Sequence, residues 1–320
     1  MVTHPFELET PSGVVLQGRD WLPDAATPLR GVVQLVHGLG EHGMRYAPLA
    51  ERLNAAGYGV TGHDNRGHGL TAGAERLGLL PAGSGWTQWI EDILRVAERA
   101  GNHWPGTPHI LLGHSLGSLM CQHVAALHAE RFAGIVLSAT DNRPGPGTGI
   151  NHVLANLLSR LTSPETRSSL LYWIGVGHLR ASIPNRRTNA DWLSRDPVQV
   201  DGYLSDPLCG FIPSTALWQA IADGMSHISG RLRGRLSSTD TPLMLMVGTG
   251  DPLSAGGRRV RSLLQAYRHN GATRITLKEY PGARHELFNE LNREEVIGDL
   301  KNWLDGVVAD IEAGTVAAAG

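Results

Sequence analysis

The sequence predicts an α/β fold in which a mostly parallel sheet is flanked by helices and interrupted by an inserted helical segment. Short, nearly continuous apolar runs, such as residues 31–36 and 242–247, are typical of parallel strands that are buried on both faces. Segments with apolar residues at helical spacing lie between such runs, which is the alternation expected of βαβ units. From Thr140 to about Leu236 this alternation stops, because the residues there have helical periodicity without a convincing strand pattern.

Each element follows from its local pattern. Residues 4–22 alternate in polarity and predict an antiparallel hairpin at a sheet edge. The sequence then predicts a core from 1–139 and 237–320, with a helical cap, or lid, inserted at 140–236. Strands are predicted at 31–36, 58–63, 109–112, 134–138, 242–247 and 274–279, and core helices at 46–56, 86–100, 116–127, 257–270 and 293–311. In the insertion, helices are predicted at 150–161, 168–179, 198–204 and 214–228.

Composition restricts the class of function. The 320 residues include 28 basic and 30 acidic side chains, and the formal net charge of −2 argues against a nucleic-acid partner. The sequence has no signal-peptide pattern and no long apolar run, so we expect a cytoplasmic protein. Only Cys121 and Cys209 are present, and Cys121 is expected to be a buried thiol.

The stretch His109-Ile-Leu-Leu-Gly-His-Ser-Leu-Gly117 is the strongest functional signal. An apolar strand runs into Gly113-His-Ser115-Leu-Gly117, and apolar residues then recur at helical spacing, which predicts a strand, a sharp turn and a helix. Such a turn needs glycine on both sides of the serine, and it lifts the serine hydroxyl into a cleft. Ser115 is therefore the candidate nucleophile.

A serine nucleophile needs a base, and the base needs an acid that fixes its tautomer. Asp251 directly follows the apolar run at 242–247, and His285 follows the predicted strand at 274–279. The carboxyl ends of parallel strands share one edge of a sheet, so Ser115, Asp251 and His285 can meet there. Taken singly, Asp251 could be a turn residue and His285 a helix-start residue, but the order serine, aspartate, histidine favours a catalytic triad.

Acyl transfer also needs backbone donors for the oxyanion. Leu116 follows the nucleophile, and Leu39 lies in the glycine-rich loop after the strand at 31–36, so their amides are the predicted oxyanion hole. The histidine pairs in 37–42 and 63–68 raise the possibility of a metal site. We favour loop packing, with no metal, because their spacing matches no known ligand set.

The motifs together resemble a known family. His37-Gly-Leu-Gly-Glu-His42, Gly62-His-Asp-Asn-Arg-Gly-His-Gly69, Gly113-His-Ser-Leu-Gly117, Gly250-Asp-Pro and Ala283-Arg-His-Glu286 are similar to those of the monoacylglycerol lipase and lysophospholipase branch of the α/β-hydrolases, often grouped with serine aminopeptidases. The resemblance implies an α/β-hydrolase fold, the triad and oxyanion hole given above, no cofactor, and a cap between the sixth and seventh strands. A serine nucleophile argues against the epoxide hydrolase and dehalogenase chemistry of relatives that use aspartate.

The favoured function is hydrolysis of a small-molecule ester or lipid, of the monoacylglycerol or lysophospholipid type. Apolar cap residues are predicted to line an acyl pocket, although they could instead pack the cap onto the core. These residues are Leu157, Leu158, Leu161, Leu170, Trp173 and Ile174. The cap could also contact a membrane surface transiently, and the sequence leaves the oligomeric state open.

Two alternatives remain at this stage. The first is a peptidase or amidase of the serine aminopeptidase type, and the second is a non-catalytic ligand-binding protein. An aminopeptidase needs an anionic anchor for the substrate amine. The candidates are Asp191, Asp196, Asp201, Asp206 and Asp223.

Overall fold

A computed structural model describes residues 1–81, 83–141 and 162–314. Its centre is an eight-stranded sheet with the order β1-β2-β4-β3-β5-β6-β7-β8. The strands are β1 Val2–Glu9, β2 Val15–Leu22, β3 Gly31–Val36, β4 Tyr58–His63, β5 His109–His114, β6 Gly134–Ser138, β7 Leu243–Gly248 and β8 Ile275–Tyr280. β2 pairs antiparallel with β1 and β4, and the other neighbours pair in parallel. The predicted α/β fold with a mostly parallel sheet and an edge hairpin is confirmed.

Helices cover both faces of this sheet. The α-helices are α1 Ala47–Ala55, α2 Gly69–Ala72, α3 Trp86–His103, α4 Leu116–His128, α5 Ser169–Gly175, α6 Pro197–Ser205, α7 Thr215–Ser229, α8 Arg258–His269 and α9 Arg293–Glu312. Leu111 of β5 packs into a cluster with α3, α4, α7 and α8. Its neighbours Ile110 and Leu112 pack into a second cluster with α1 and α9. Successive side chains of a strand point to opposite faces, so a continuous apolar run fills both clusters.

The segment between β6 and β7 contains α5, α6 and α7 and a 3-10 helix, Gly177–Ser182. In the described part of this segment the only β pairing is an isolated bridge between Arg167 and Ser214. The predicted helices at 168–179, 198–204 and 214–228 correspond to these elements, and the one predicted at 150–161 lies outside the described residues. We call residues 140–236 the inserted segment.

The sheet topology brings several loops to one edge of the sheet. β3, β5, β6, β7 and β8 are parallel neighbours, so the loops that leave their carboxyl ends lie along one edge of the sheet. Within the described ranges, no helix is long and apolar enough to cross a bilayer.

A buried ion pair fixes the loop after β4. The Arg66 guanidinium donates to both Asp92 carboxylate oxygens, over 2.6 and 2.8 Å, and both residues are 1% exposed. The same guanidinium donates to the hydroxyls of Ser12 and Ser84. Arg66 therefore joins the N-terminal hairpin, the loop before α3 and α3 itself.

Candidate active site

Ser115 lies in the turn between β5 and α4, as the sequence predicts. Its backbone has φ 51° and ψ −119°, a strained conformation for a residue with a side chain. A Cβ added to Gly113 would lie 2.6 Å from the Cys121 sulfur, and one added to Gly117 would lie 2.0 Å from the Val36 carbonyl oxygen. The turn is possible only because neither position carries a side chain, and it holds the hydroxyl outside the sheet.

The structure brings Ser115, His285 and Asp251 together. His285 Nε2 is 2.8 Å from Ser115 Oγ, and His285 Nδ1 is 3.1 Å from Asp251 Oδ2. A carboxylate only accepts hydrogen bonds, so Nδ1 carries the proton and Nε2 accepts from the Ser115 hydroxyl. His285 is 2% exposed and Asp251 is fully buried. The Leu253 amide donates to the other Asp251 oxygen, which fixes the carboxylate further.

Two opposing effects act on the imidazole. Burial is the largest single effect and lowers the pKa of His285. The negative charge of Asp251, the hydrogen bond to it and the carboxylates of Glu286 and Glu41 together raise the pKa more, so the net shift is upward from 6.5. The arrangement therefore favours the imidazolium, which is the state that a general base reaches after it has taken a proton.

The predicted oxyanion donors lie beside the serine. Leu39 and Leu116 both line a cavity that reaches Ser115. Neither of their amides has a hydrogen-bond acceptor among the described residues, whereas the neighbouring Gly38 amide donates to Glu41 over 2.6 Å. Two free amides beside a serine hydroxyl can bind the oxygen of a carbonyl that the serine attacks.

An ion network that the sequence analysis missed joins two loops of this site. Arg45 Nη1 and Nη2 donate to the two Glu286 oxygens over 2.6 and 2.7 Å, and Nη1 also donates to Glu41 over 2.9 Å. Glu41 accepts a hydrogen bond from Tyr46 as well. The network ties the loop after β3 to the residue next to His285. Only the spacing of four between Glu41 and Arg45 was visible in the sequence.

Two cavities meet at Ser115. The first is mostly apolar and extends under the inserted segment, with Asp141, His178 and Arg259 as its charged or titratable wall residues. Its apolar walls include Leu119, Ile174, Val176, Trp218, Ile221, Ala222 and Met225. The second is smaller, and its wall combines aliphatic and aromatic side chains with two glutamates. They include Glu41, Trp192, Tyr203, His285 and Glu286. Ser115 and Leu39 belong to both walls.

The structure places the predicted acyl-pocket residues in different environments. Ile174 lies in the wall of the apolar cavity. Leu170 and Trp173 are each 54% exposed and line neither described cavity, so the prediction that they line the pocket needs correction. The reason is the phase of α5, which turns positions 170 and 173 to solvent and buries Leu171 against Trp218. Leu157, Leu158 and Leu161 lie outside the described residues.

The histidine pairs behave as packed loop residues. His37 Nδ1 donates to the Gly38 carbonyl and Nε2 accepts from the Asn65 amide, and its ring lies 5.2 Å from that of His68. In the described part of the chain, His42, Asp206 and Cys209 are a group that could hold a metal, since one ligand atom from each lies within 4.8 Å of the others. His42 and Asp206 already form a 2.8 Å pair without an ion. Cys121 is buried, as expected.

Comparisons with known proteins give the same family that the sequence motifs resemble. Residues 27–292 match the family described as serine aminopeptidase, S33. A monoacylglycerol lipase from Mycolicibacterium smegmatis is 31% identical over 288 residues, which are 89% of this chain and 90% of that protein. The human monoglyceride lipase is 29% identical over 288 residues, 88% of this chain and 86% of that protein.

A solved structure with the same fold is a thermostable carboxyl esterase from Bacillus coagulans, determined in complex with glycerol. It superposes with a TM-score of 0.88 at 26% identity and covers 96% of this chain and 99% of the esterase.

Proposed function

The chain belongs to the serine aminopeptidase S33 family of α/β-hydrolases, as its motifs predict, and from this premise we propose that it cleaves monoacylglycerols by a serine acyl-enzyme mechanism. It is a carboxylic ester hydrolase. The proposal adds the substrate class, the roles of the triad and the role of the inserted segment as a cap.

The observation that carries the proposal is the position of Ser115 between an apolar cavity and a smaller second cavity whose wall contains Glu41 and Glu286. A monoacylglycerol has one apolar chain and one small polar head on the two sides of its ester bond. With the carbonyl at Ser115, the chain fits among Ile174, Ile221 and Met225, and the glycerol faces Glu41 and Glu286. Burial of the chain supplies most of the binding free energy, and the polar groups orient the head.

The mechanism uses the hydrogen bonds already present. His285 Nε2 takes the Ser115 proton while Oγ bonds to the ester carbonyl carbon, and Asp251 stays ionised and stabilises the imidazolium. The amides of Leu39 and Leu116 donate to the oxyanion. The intermediate collapses when the bond to the glycerol oxygen breaks and His285 donates its proton to that oxygen. Water, activated by the same histidine, then releases the fatty acid and restores Ser115.

The smaller cavity favours an uncharged head group over a phosphate. Its two carboxylates, Glu41 and Glu286, repel an anion. Arg45 is the cation beside them, and its guanidinium is already shared between both carboxylates. A lysophospholipid would bring a phosphate to this end without a free cation among the described lining residues. Glycerol hydroxyls, in contrast, can donate to the carboxylates.

The peptidase alternative has less support. Of the predicted amine anchors, Asp196 pairs with Arg293, Asp201 with Arg187 and Asp206 with His42. No predicted anchor, including Asp191 and Asp223, lines either described cavity. The carboxylates that do line them already pair with arginine: Glu41 and Glu286 with Arg45, and Asp141 with Arg259. The alternative of a binding protein without turnover is disfavoured by the complete hydrogen-bonded chain from Ser115 to Asp251.

The proposal includes a role for the cap surface. On α5, which also carries Ile174, the side chains of Leu170 and Trp173 are exposed to solvent. We propose that they contact a lipid surface transiently while substrate enters the apolar cavity. A cytoplasmic location is a further part of the proposal.

The test compares two octanoyl esters that differ in their head group, and adds an anilide as a peptidase substrate. Purified protein is given 1-octanoylglycerol, an octanoyl lysophosphatidylcholine and an aminoacyl p-nitroanilide, with the Ser115→Ala variant as the blank. We expect kcat/KM for the glycerol ester to exceed that for the lysophospholipid by about tenfold or more, because a desolvated, unpaired phosphate is costly. Equal or faster lysophospholipid cleavage would rule out the head-group assignment, and anilide cleavage alone would establish the peptidase alternative.

A further inference from the structure

An aromatic side chain of the inserted segment lies against the triad histidine. The ring of Trp192 is 4.9 Å from that of His285, centroid to centroid, with an interplanar angle of 40°. The ring of His114, from the end of β5, is 5.0 Å from it at 57°. The position of the imidazole is therefore set by two ring contacts as well as by its bonds to Ser115 and Asp251.

The backbone around Trp192 is bonded directly to the loop that carries His285. The Glu286 amide donates to the Leu193 carbonyl over 2.7 Å. The Arg284 guanidinium donates to the carbonyls of Asp191 and Ser194 over 2.5 and 3.1 Å. These bonds lie on both sides of Trp192 and His285, so the two rings are held at a fixed separation.

A buried carboxylate joins the same two segments a second time. Glu290 is fully buried, and its Oε1 accepts from the amides of Arg195 and Arg284 over 2.9 and 2.8 Å. Its Oε2 accepts from Arg195 Nε over 2.8 Å. The Ser194 hydroxyl adds a bond to the Asn289 carbonyl. Separating the two segments would leave this buried carboxylate without some of its hydrogen-bond donors, which costs free energy.

We propose that residues 190–196 of the inserted segment form part of the scaffold of the catalytic histidine, and that Trp192 is a positioning residue that holds the His285 ring toward Ser115 and stabilises its imidazolium. The inference rests on the proposed function, in which His285 is the general base. It implies that this part of the cap is held on the core by the same contacts that position His285.

The indole is suited to the task because its ring face attracts a cation while its bulk excludes water. The charged and titratable groups around the imidazole come from the core: Asp251, Glu41, Glu286, with its partner Arg45, and His114. From the inserted segment, Tyr203 lines the same cavity and packs on Arg45. These groups are present whether or not the indole is, so its own contribution can be measured by replacing it.

The test uses two variants and a matched control. Trp192→Leu keeps apolar bulk without a ring, Trp192→Phe keeps a ring, and Val198→Ala trims an exposed apolar side chain of the same segment. The substrate is p-nitrophenyl acetate, whose acyl group is too short to depend on the apolar cavity. For Trp192→Leu we expect kcat to fall about tenfold with KM within about twofold, because the base is misplaced rather than the binding weakened. Trp192→Phe should recover most of kcat, and Val198→Ala should match the wild type.

The pH dependence separates positioning from packing. Loss of the ring face should move the acid limb of kcat/KM, and the His285 titration followed by NMR, to lower pH by about half a unit in Trp192→Leu. Melting temperatures of all variants show whether each is folded. An unchanged kcat and titration in folded Trp192→Leu, or a higher KM with unchanged kcat, would overturn the proposal. The NMR titration needs no turnover, so it decides the role of Trp192 even if the wild-type protein fails to cleave esters and the proposed function is wrong.

Discussion

The imidazole of His285 lies 2.8 Å from the hydroxyl of Ser115, although 170 positions separate the two residues in the chain. The contact exists because β5 and β8 are parallel strands of one sheet and their carboxyl ends share an edge. The same edge carries Asp251 at the end of β7 and Leu39 after β3. One sheet edge thus brings together, from four loops, the residues for which we propose the roles of nucleophile, base, acid and oxyanion donors.

Replacing Ser115 by alanine should abolish ester turnover and leave the fold intact. The hydroxyl bonds only to His285 Nε2 among the described residues, so its loss removes the nucleophile and little packing. Ser226→Ala, which alters an exposed helical serine, is the control and should retain full activity. Turnover and melting curves check both variants. Wild-type-like turnover in Ser115→Ala would exclude Ser115 from the mechanism.

Replacing Asp251 by asparagine should lower kcat by roughly a thousandfold or more, because the amide favours the wrong tautomer of His285. The nearby carboxylate of Glu286 should not compensate, because both of its oxygens bond to Arg45. Glu286→Gln is the comparison, and we expect a smaller loss from it. A loss within about tenfold in Asp251→Asn would point to another acid.

Activity should fall in mild acid with an apparent pKa above 6.5. The pKa of His285 is raised from 6.5, since Asp251 and the nearby carboxylates together outweigh burial, and the base must be neutral to accept a proton. His114 does not contribute to this limb, because burial lowers its pKa to about 4. A kcat/KM profile with p-nitrophenyl butyrate measures the limb, and Asp251→Asn should shift it to lower pH. A limb below 6.5 in the wild type would contradict the ion-pair account.

The raised pKa of His285 also predicts how the stability of the protein depends on pH. A pKa that is raised on folding means that the folded state binds the proton more tightly, so protonated His285 stabilises the fold. This contribution is complete below pH 6.5 and is lost as the pH rises through the folded pKa. Urea unfolding of the wild type and of His285→Gln at pH 6 and 9 measures it. The stability difference between them should shrink at pH 9.

The apolar cavity should set the chain-length preference. Each methylene buried there lowers the kcat/KM barrier by up to about 0.8 kcal/mol, so p-nitrophenyl esters should improve from two to at least eight carbons. Ile221→Trp, which fills the cavity wall, should reduce octanoate cleavage and spare acetate. Trp173→Ala should leave the ratio unchanged, because that ring faces solvent. A maximum at two carbons would contradict the acyl-pocket assignment.

Removing one partner of the buried Arg66 and Asp92 pair should destabilise the protein strongly. Asp92→Ala leaves a guanidinium that is 1% exposed without its counter-charge, at a cost of about 3–5 kcal/mol. The exposed pair of Arg187 and Asp201 is the control, and Asp201→Ala should barely change the melting temperature. Similar small losses in both variants would show that Arg66 finds other partners.

The sheet and the proximity of Ser115, Asp251 and His285 could be predicted because they leave local signals. A strand buried on both faces is a continuous apolar run, and a side chain added to either glycine beside Ser115 would come within 2.0 to 2.6 Å of other atoms. Asp251 follows such a run, and His285 follows a strand that is only partly buried, in the order that a serine triad requires. The amides of Leu39 and Leu116 followed from their positions in the two loops.

The remaining features depend on contacts between distant segments. Arg45 and Glu286 are 241 positions apart and carry no periodic signal. The same holds for the contact of Trp192 with His285. On α5, apolar residues occupy 170, 171, 173 and 174, so the sequence shows a helix but not which side is buried. The buried side of α5 is set by Trp218 of α7, which packs against Leu171.

The most direct measurement of the central claim is the site of covalent capture. An alkyl phosphonate with a p-nitrophenol leaving group mimics the tetrahedral intermediate and is not released by water at a useful rate. The account predicts one equivalent of p-nitrophenol released, complete loss of ester turnover, and a single adduct that peptide mass spectrometry places on Ser115. An adduct on another residue, or loss of turnover with Ser115 unmodified, would contradict it.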